Sequence, residues 1–314
     1  MVTREGAPAA HRVAILLSTH NGEQFLPEQL ASLAAQTYRD WLLYWRDDES
    51  SDATPRLVAA FLTTLGPCRS TVVRNEGRVG ASESFLRLLR AACSDGHEIF
   101  AFADQDDVWL PEKLARGVAA LEASPGGTPT LYSARQVLVD AALNRICVSP
   151  IVREPTGFPA ALTQNLATGC TLMLNRAAAD LVGASRAPAG TLHDWWCYLL
   201  VAAAGGRLVF DPTPVVLYRQ HASNMVGAPA TRLRRGVAAL RRGPGAFMSI
   251  LRQNIAALLD QPELLSACAR EQLVTIARAL DCGAPRRLSA LRMPGLTRQT
   301  WAETMLFRLW FMLH

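Results

Sequence analysis

The chain has 314 residues, half of them apolar and 19% charged, with no internal repeat or low-complexity tract; that is an ordinary globular mixture, long enough for one large domain or a domain with an appendage. The net charge of +5 and pI near 9.0 favour phosphate-bearing ligands or an anionic membrane surface. The lack of finger spacing or aromatic-basic interleaving speaks against nucleic acid. The seven cysteines are scattered and never form C-x-x-C, as expected of small buried residues in a reducing compartment. Residues 1–11 lack the apolar run of a signal peptide, and the longest apolar stretches, 195–204 and 305–313, fall short of the roughly 18 residues that span a bilayer. The expected location is cytoplasmic, with a loose tail over residues 1–11.

Residues 13–17 read as a buried strand that ends at Ser18, Thr19, His20, Asn21 and Gly22, small and polar residues that can bring backbone N–H groups close to a ligand. Phe25, Leu26, Gln29, Leu30 and Leu33 then carry the helical period. Residues 41–45 form a second apolar run, ending at Arg46, Asp47, Asp48, Glu49, Ser50, Ser51 and Asp52. Pro55 opens the next helix and Gly66 closes it. A short third strand at 71–73 precedes a helix expected to be capped by Ser82. The fourth strand, 99–103, is apolar throughout and runs straight into Asp104, Asp106 and Asp107. Carboxylates crowded at a strand end raise one another's pKa unless a cation neutralises them, and a hard divalent ion shared with substrate phosphates is the usual remedy.

Four strand–helix alternations within about a hundred residues predict a mostly parallel sheet with helices on both faces, binding its ligand at the carboxyl ends of the strands. Beyond residue 126 the pattern loosens into short strands at 131–132 and 137–139. A small-residue turn with Gly169 and Cys170 follows, then a helix from His193, Asp194, Trp195 and Trp196 to Ala204, and strands at 207–210 and 215–218 before Arg219, Gln220 and His221. After Gly227 the chain becomes basic and helical, with apolar stripes around Phe247–Leu259 and Leu273–Leu280 and a nearly all-apolar segment at 305–313.

The residues 18–22, 46–52, 102–109 and 193–196, in that order and spacing, resemble the family-2 inverting glycosyltransferases of GT-A fold, and within them the bacterial rhamnosyltransferase-like enzymes of cell-surface polysaccharide assembly. The resemblance spans about residues 12–225. It implies an α/β GT-A fold: a nucleotide-binding, mostly parallel sheet flanked by helices (residues 12–227) with a C-terminal helical appendage (228–314). It further implies that Thr19, Asn21, Asp47 and Asp48 contact the nucleotide, with Asp48 accepting from a pyrimidine N3–H. Asp106 and Asp104 would bind Mg²⁺ or Mn²⁺, Asp104 also lying near the ribose, and His221 would reach the metal or diphosphate. Gly169 would lie beside the donor sugar, and Arg219 would pair with phosphate oxygens. Asp194 would be the base that takes the acceptor hydroxyl's proton, and Trp195 and Trp196 would stack on sugar rings. The implied partners are a dTDP- or UDP-linked sugar donor and a glycan or lipid-linked acceptor.

One position departs from the family: Glu49 stands where glycine commonly follows the aspartate pair, and it is strained if that turn needs a positive φ. Asp104 to Val108 also fits the D-x-D-x-[TV] pattern of aspartate-nucleophile phosphohydrolases, but follows the fourth strand rather than the first, and the chain's one lysine, Lys113, lies only seven residues past Asp106. No G-x-G-x-x-G follows the first strand, which argues against a nicotinamide dehydrogenase. A non-catalytic sugar-nucleotide-binding subunit would share every donor-site residue, and what separates it is Asp194: an enzyme with Asp194→Asn should keep donor binding and lose transfer. The C-terminal helices leave two readings open, packing or a homodimer contact on one side and rest on the inner membrane surface on the other.

Overall fold

In a computed structural model of the chain, residues 11–221 and 232–314 are described, those at 232–242 by their backbone alone. All but the last residue of the tail expected at residues 1–11, the 227/228 boundary and the side chains of Arg232, Arg234, Arg235, Arg241 and Arg242 lie outside the described part. Strand and helix alternate from the start: β1 (Val13–Thr19), α1 (Leu26–Ala34), β2 (Trp41–Asp47), α2 (Thr54–Leu65), β3 (Ser70–Val72), α3 (Ala81–Ser94) and β4 (Ile99–Ala103). There follow β5 (Val108–Trp109), α4 (Lys113–Glu122), β6 (Thr130–Val139), β7 (Arg145–Val148), α5 (Ala160–Thr163), β8 (Met173–Asn175), α6 (Arg176–Ala184), α7 (His193–Ala203) and β9 (Arg207–Arg219). Four helices close the chain: α8 (Arg232–Leu259), broken at Gly243 and Pro244, α9 (Ala267–Leu280), α10 (Ala284–Ala290) and α11 (Trp301–Leu313).

Among the described residues nine strands make one sheet in the order β3-β2-β1-β4-β8-β6-β9-β5, with β7 on β6. The first four are mutually parallel, and β8 runs antiparallel to both β4 and β6. Register brings the functional segments together. Thr19 pairs with Asp47 and Leu17 with Ala103, so the carboxyl ends of β1, β2 and β4 are level. Because β8 is antiparallel, with Ala101 opposite Met173, its entry turn at Gly169 and Cys170 lies beside the exit of β4. Val139 pairs with Arg219 in the parallel β6–β9 ladder, and Val108 pairs with Leu217, which carries the end of β9 to the same rim.

Alternate residues of the central strands feed two cores, as the two-residue period of a strand requires. Val13, Ile15, Leu17, Leu43 and Ala101 face the layer of α1, α2 and α4. Ala14, Leu16, Tyr44, Phe100 and Phe102 face α3, α6 and α7, and this core runs on without a break through Leu251, Leu273, Phe307 and Phe311. The helices after residue 242 thus pack on the α6–α7 layer; Thr191 Oγ1 donates to buried Asn254 Oδ1, and Ser266 N to Ala203 O.

Two local expectations are corrected and a third is met. Gly80, at φ 81°, precedes α3 where Ser82 was expected to cap it, because the N–H of Gly80 is drawn to Asp48. The two strand pairs expected at 131–139 and 207–218 are two long strands, β6 and β9, kept continuous across register shifts between Ala134 and Gln136. Glu49 does occupy a positive φ, 63°.

Candidate active site

At the end of β2 the carboxylates are fully engaged by the protein. Asp47 Oδ1 accepts from Thr19 Oγ1 (2.9 Å) and Ser50 Oγ (2.6 Å), and its Oδ2 accepts from Ser50 N (2.8 Å). Asp48 is 3% exposed. Its Oδ1 accepts from Arg46 Nη1 and Val79 N, both 2.8 Å, and its Oδ2 from Gly80 N at 2.7 Å. Burial alone would raise the Asp48 pKa, but the Arg46 guanidinium and the two amides hold it below the ordinary carboxylate value. Of the four or so acceptor positions on a carboxylate, at most one is left for a base.

The loop after β1 is stitched to both acidic turns. Asn21, at φ 47°, donates from its backbone to Ser50 Oγ and accepts from Ser51 N at 2.8 Å. His20 N donates to Gln105 Oε1 (2.8 Å) while Gln105 Nε2 donates to His20 O (3.0 Å), and His20 Nδ1 lies 2.8 Å from Asp48 O. A Cβ on Gly22 would collide with the Gln105 amide, so the glycine is there to let Gln105 in. Gln105 is the residue sequence reasoning missed, having been read only as the spacer of the D-x-D.

At the end of β4 the balance is reversed. Asp104 is pushed up to about 8, by burial first and then by the carboxylates of Asp106 and Asp194. Burial, Asp106 and Asp104 hold Asp107 well above the ordinary range. Asp107 Oδ1 accepts from Arg219 N at 3.0 Å, whereas its buried Oδ2 has no hydrogen-bond partner among the described residues. Asp106 Oδ2 lies 2.9 Å from His221 Nε2, whose ring packs against Phe25. Lys113 is fully buried, with Nζ 3.0 Å over the Trp109 ring and no hydrogen-bond partner among the described residues.

These donors fit a divalent cation on one side only. An oxygen of Asp104, an oxygen of Asp107 and the sulfur of Cys170 lie within 4.8 Å of one another, but Cys170 is buried with its thiol pKa well above normal, and a protonated sulfur suits neither Mg²⁺ nor Mn²⁺. Asp104, Asp106 and His221 offer hard oxygens and one imidazole, part of it open to solvent, where excess negative charge has not been neutralised.

Asp194 opens α7 next to this cluster, close enough to raise Asp104. Its Oδ2 accepts from Gly169 N at 3.0 Å and its Oδ1 from Trp195 N at 2.6 Å. Burial raises its pKa, and the amides of Trp195 and Gly169 restrain the rise, leaving it at about 6. A Cβ on Gly169 would stand 2.9 Å from His193 Nε2. The buried His193 ring stacks on Phe85 and Phe102, burial drives its pKa down to about 3, and neither nitrogen has a partner among the described residues. His193 is a neutral imidazole.

Three expected contacts point elsewhere. Thr19 is 1% exposed, and its hydroxyl is occupied by Asp47 and by Trp45 Nε1; it sets Asp47 in place. Arg219 is 1% exposed. It donates from Nε to Asp106 O, bonds Ala141 O and Glu28 through its other nitrogens, and lies over Phe25, so it holds the acidic turn instead of facing a phosphate. Trp196 is fully buried, with Nε1 donating to Ser185 Oγ at 2.8 Å, and belongs to the core. Trp195 is half-buried, anchored by Nε1 to Ala161 O at 2.9 Å.

Residues 14–147 match the family described as Glycosyl transferase family 2. The chain is 26% identical over 224 residues to dTDP-rhamnosyl transferase RfbG of Shigella flexneri, covering 68% of this chain and 74% of that one. It is 30% identical over 109 residues to the UDP-Glc:alpha-D-GlcNAc-diphosphoundecaprenol beta-1,3-glucosyltransferase WfgD of Escherichia coli, covering 35% of this chain and 40% of that one. Its fold is that of S. aureus TarS 1-349, crystallised with UDP-GlcNAc, at a TM-score of 0.59 and 16% identity over 88% of this chain and 73% of that one. With four motifs levelled at one rim of such a sheet, the chain has the GT-A fold, and residues 14–147, which carry three of the four motifs, are similar to glycosyl transferase family 2.

Proposed function

We propose that the protein is a divalent-metal-dependent inverting glycosyltransferase that moves a sugar, with dTDP-rhamnose the first donor to test, onto a glycan or lipid-linked acceptor of a cell-surface polysaccharide, on the cytoplasmic side. The observation that carries this reading is the convergence of Asp104, Asp106 and Asp194 at one rim, with Asp194 at about 6 while its neighbour Asp104 is pushed to about 8. Carboxyl groups whose environments hold them apart in pKa are suited to separate tasks.

Asp106, Asp104 and His221 would hold Mg²⁺ or Mn²⁺, which when bound supplies a positive charge to the leaving diphosphate. Asn21, Asp47 and the backbone around Asp48, Val79 and Gly80 form the nucleotide end, with Thr19, Gln105 and Arg219 positioning them. The acceptor oxygen attacks the anomeric carbon from the side opposite the phosphate. Its proton passes to an Asp194 oxygen as the carbon–oxygen bond to the diphosphate breaks, and the nucleoside diphosphate leaves with the bonding pair. An Asp194 near 6 is ionised at neutral pH yet basic enough to accept that proton. Gly169 N and Trp195 N fix the carboxylate, and Trp195 would stack on the acceptor.

Asp194→Asn tests the assignment. Thermal-shift titration with dTDP and UDP, with and without Mn²⁺, should show donor-site binding unchanged within about twofold, while transfer falls by about 10²–10⁴-fold. Retained transfer would remove Asp194 as the base, and a product of retained anomeric configuration in NMR would remove inversion.

A further inference from the structure

The last helix has an apolar face that nothing among the described residues covers. Thr304, Phe307, Trp310 and Phe311 turn α11 into the core, which satisfies its inner side. Its outer side is also apolar: Trp301 is 78% exposed, Leu309 53% and Leu313 68%, with Met305 between them. The four stand at i, i+4, i+8 and i+12, one stripe along the helix. A surface helix ordinarily turns polar residues outward, and one apolar all round is covered on both sides.

Charge chooses the cover. Residues 284–314 contain five arginines and a single acid, Glu303, and Arg286 and Arg292 are exposed on and just after α10, beside the half-exposed Leu288. A second copy of the chain would set these cations against their own kind. An anionic bilayer would complement them, taking the apolar stripe into the headgroup boundary. At 13 residues α11 cannot cross a bilayer, and among the described residues no helix is long and apolar enough to do so. Lying in the surface is the geometry open to it.

We infer that α10 and α11 are a docking face for an anionic membrane surface. Its placement is directional. Just before α11, Gln299 exchanges two hydrogen bonds with the Arg153 backbone, and Thr297 O accepts from Thr163 Oγ1 at 2.8 Å. Helix α5, which ends at Thr163, also anchors Trp195 through Ala161 O. The face is therefore tied through one short helix to the segment carrying Asp194. If the transferase reading above holds, on which this last step rests, the acceptor is presented from the membrane to that side of the rim.

The test is co-sedimentation of the full chain with vesicles of phosphatidylcholine alone or mixed with phosphatidylglycerol, without nucleotide, in about 0.1 M salt. Wild type should partition into the anionic vesicles at least about tenfold more strongly, and Trp301→Glu/Leu309→Glu should lose that gain while keeping its circular dichroism spectrum and its response to dTDP with Mn²⁺. Arg286→Gln/Arg292→Gln should lose part of it. Equal binding by wild type and the glutamate variant, no preference for anionic vesicles, or a dimer in light scattering that the glutamates split would each overturn the inference. Because the vesicle measurement involves no sugar transfer, a failed transferase assignment would leave it intact.

Discussion

Two strands of this sheet end in nearly the same way, an apolar run followed by adjacent aspartates, and the protein treats them oppositely. At Asp47 and Asp48 every donor needed is built in: Ser50 folds back on Asp47, the arginine within β2 reaches Asp48, and the loop before α3 presents two amides. At Asp104, Asp106 and Asp107 the described residues supply one backbone N–H from Arg219, one histidine and the Cys170 thiol, and Lys113, held over the Trp109 ring without a hydrogen bond, offsets the charge of Asp104 only in part. The first turn is finished by folding. The second is left short of donors, and in the proposed function a cation completes it; that difference would separate a positioning element from a working one.

The most severe way to break the contrast is to remove a ligand from the unfinished turn. Asp106→Ala should lower transfer by at least about a thousandfold, some 4 kcal/mol of lost transition-state stabilisation, and should abolish the thermal shift that Mn²⁺ adds to dTDP. Stability itself should change little, because the substitution also relieves repulsion of Asp104 and Asp107. An unchanged Mn²⁺ response would place the cation elsewhere.

The same experiment on the finished turn should invert the outcome. Asp48→Ala leaves the fully buried Arg46 without its carboxylate, and breaking a buried pair costs about 3–5 kcal/mol. Ser84, Asn75 and Gly77 still accept from the guanidinium, so the lower end is expected, about 3 kcal/mol by urea denaturation. A loss below about 1 kcal/mol would mean that Asp48 is not the keystone of that turn.

How far the sequence was legible follows the same line. The strands and their common rim could be read because apolar runs punctuated by carboxylates are local patterns and parallel pairing levels their ends. The orientation of single side chains could not. Trp195 and Trp196 are neighbours, yet the turn of a helix between adjacent residues sends Trp196 into the core against Ser185 and leaves Trp195 half-buried. Arg219 next to His221 looked equally suited to phosphate, but Glu28, 191 positions earlier, and the Asp106 carbonyl claim it. Gln105 carried no signal, since what makes it matter is the missing side chain of Gly22, and His193, though inside a motif, showed nothing of its seat against Gly169.

pH separates the two turns without mutation. Asp48 is lowered on folding, so its contribution is present above the ordinary carboxylate value near 4 and is lost as pH falls further. Asp104 is raised to about 8, so the folded state holds a proton that the unfolded chain has released, and stability falls as pH rises from about 4 through 8. Chelator-treated protein should lose thermal stability along that upper limb, and Mn²⁺ should flatten it. In the transfer reaction kcat/KM should drop about tenfold per pH unit below about 6, where Asp194 takes up its proton. An upper limb already flat in chelator would mean that the second turn is as complete as the first.

The smallest effect sharpens the contrast from within the finished turn. Glu49 sits at φ 63°, a conformation that costs a residue with a side chain about 1–2 kcal/mol and glycine nothing comparable. Glycine in turn loses about 0.5–1 kcal/mol more chain entropy on folding. Glu49→Gly should therefore raise stability by about 0.5 kcal/mol in denaturant titration and leave donor binding unchanged, since no hydrogen bond of Asp47 or Asp48 passes through the Glu49 side chain. Should the variant instead weaken dTDP binding, the glutamate would be reaching the nucleotide itself, and the turn that folding otherwise completes would prove to have kept one group for its ligand.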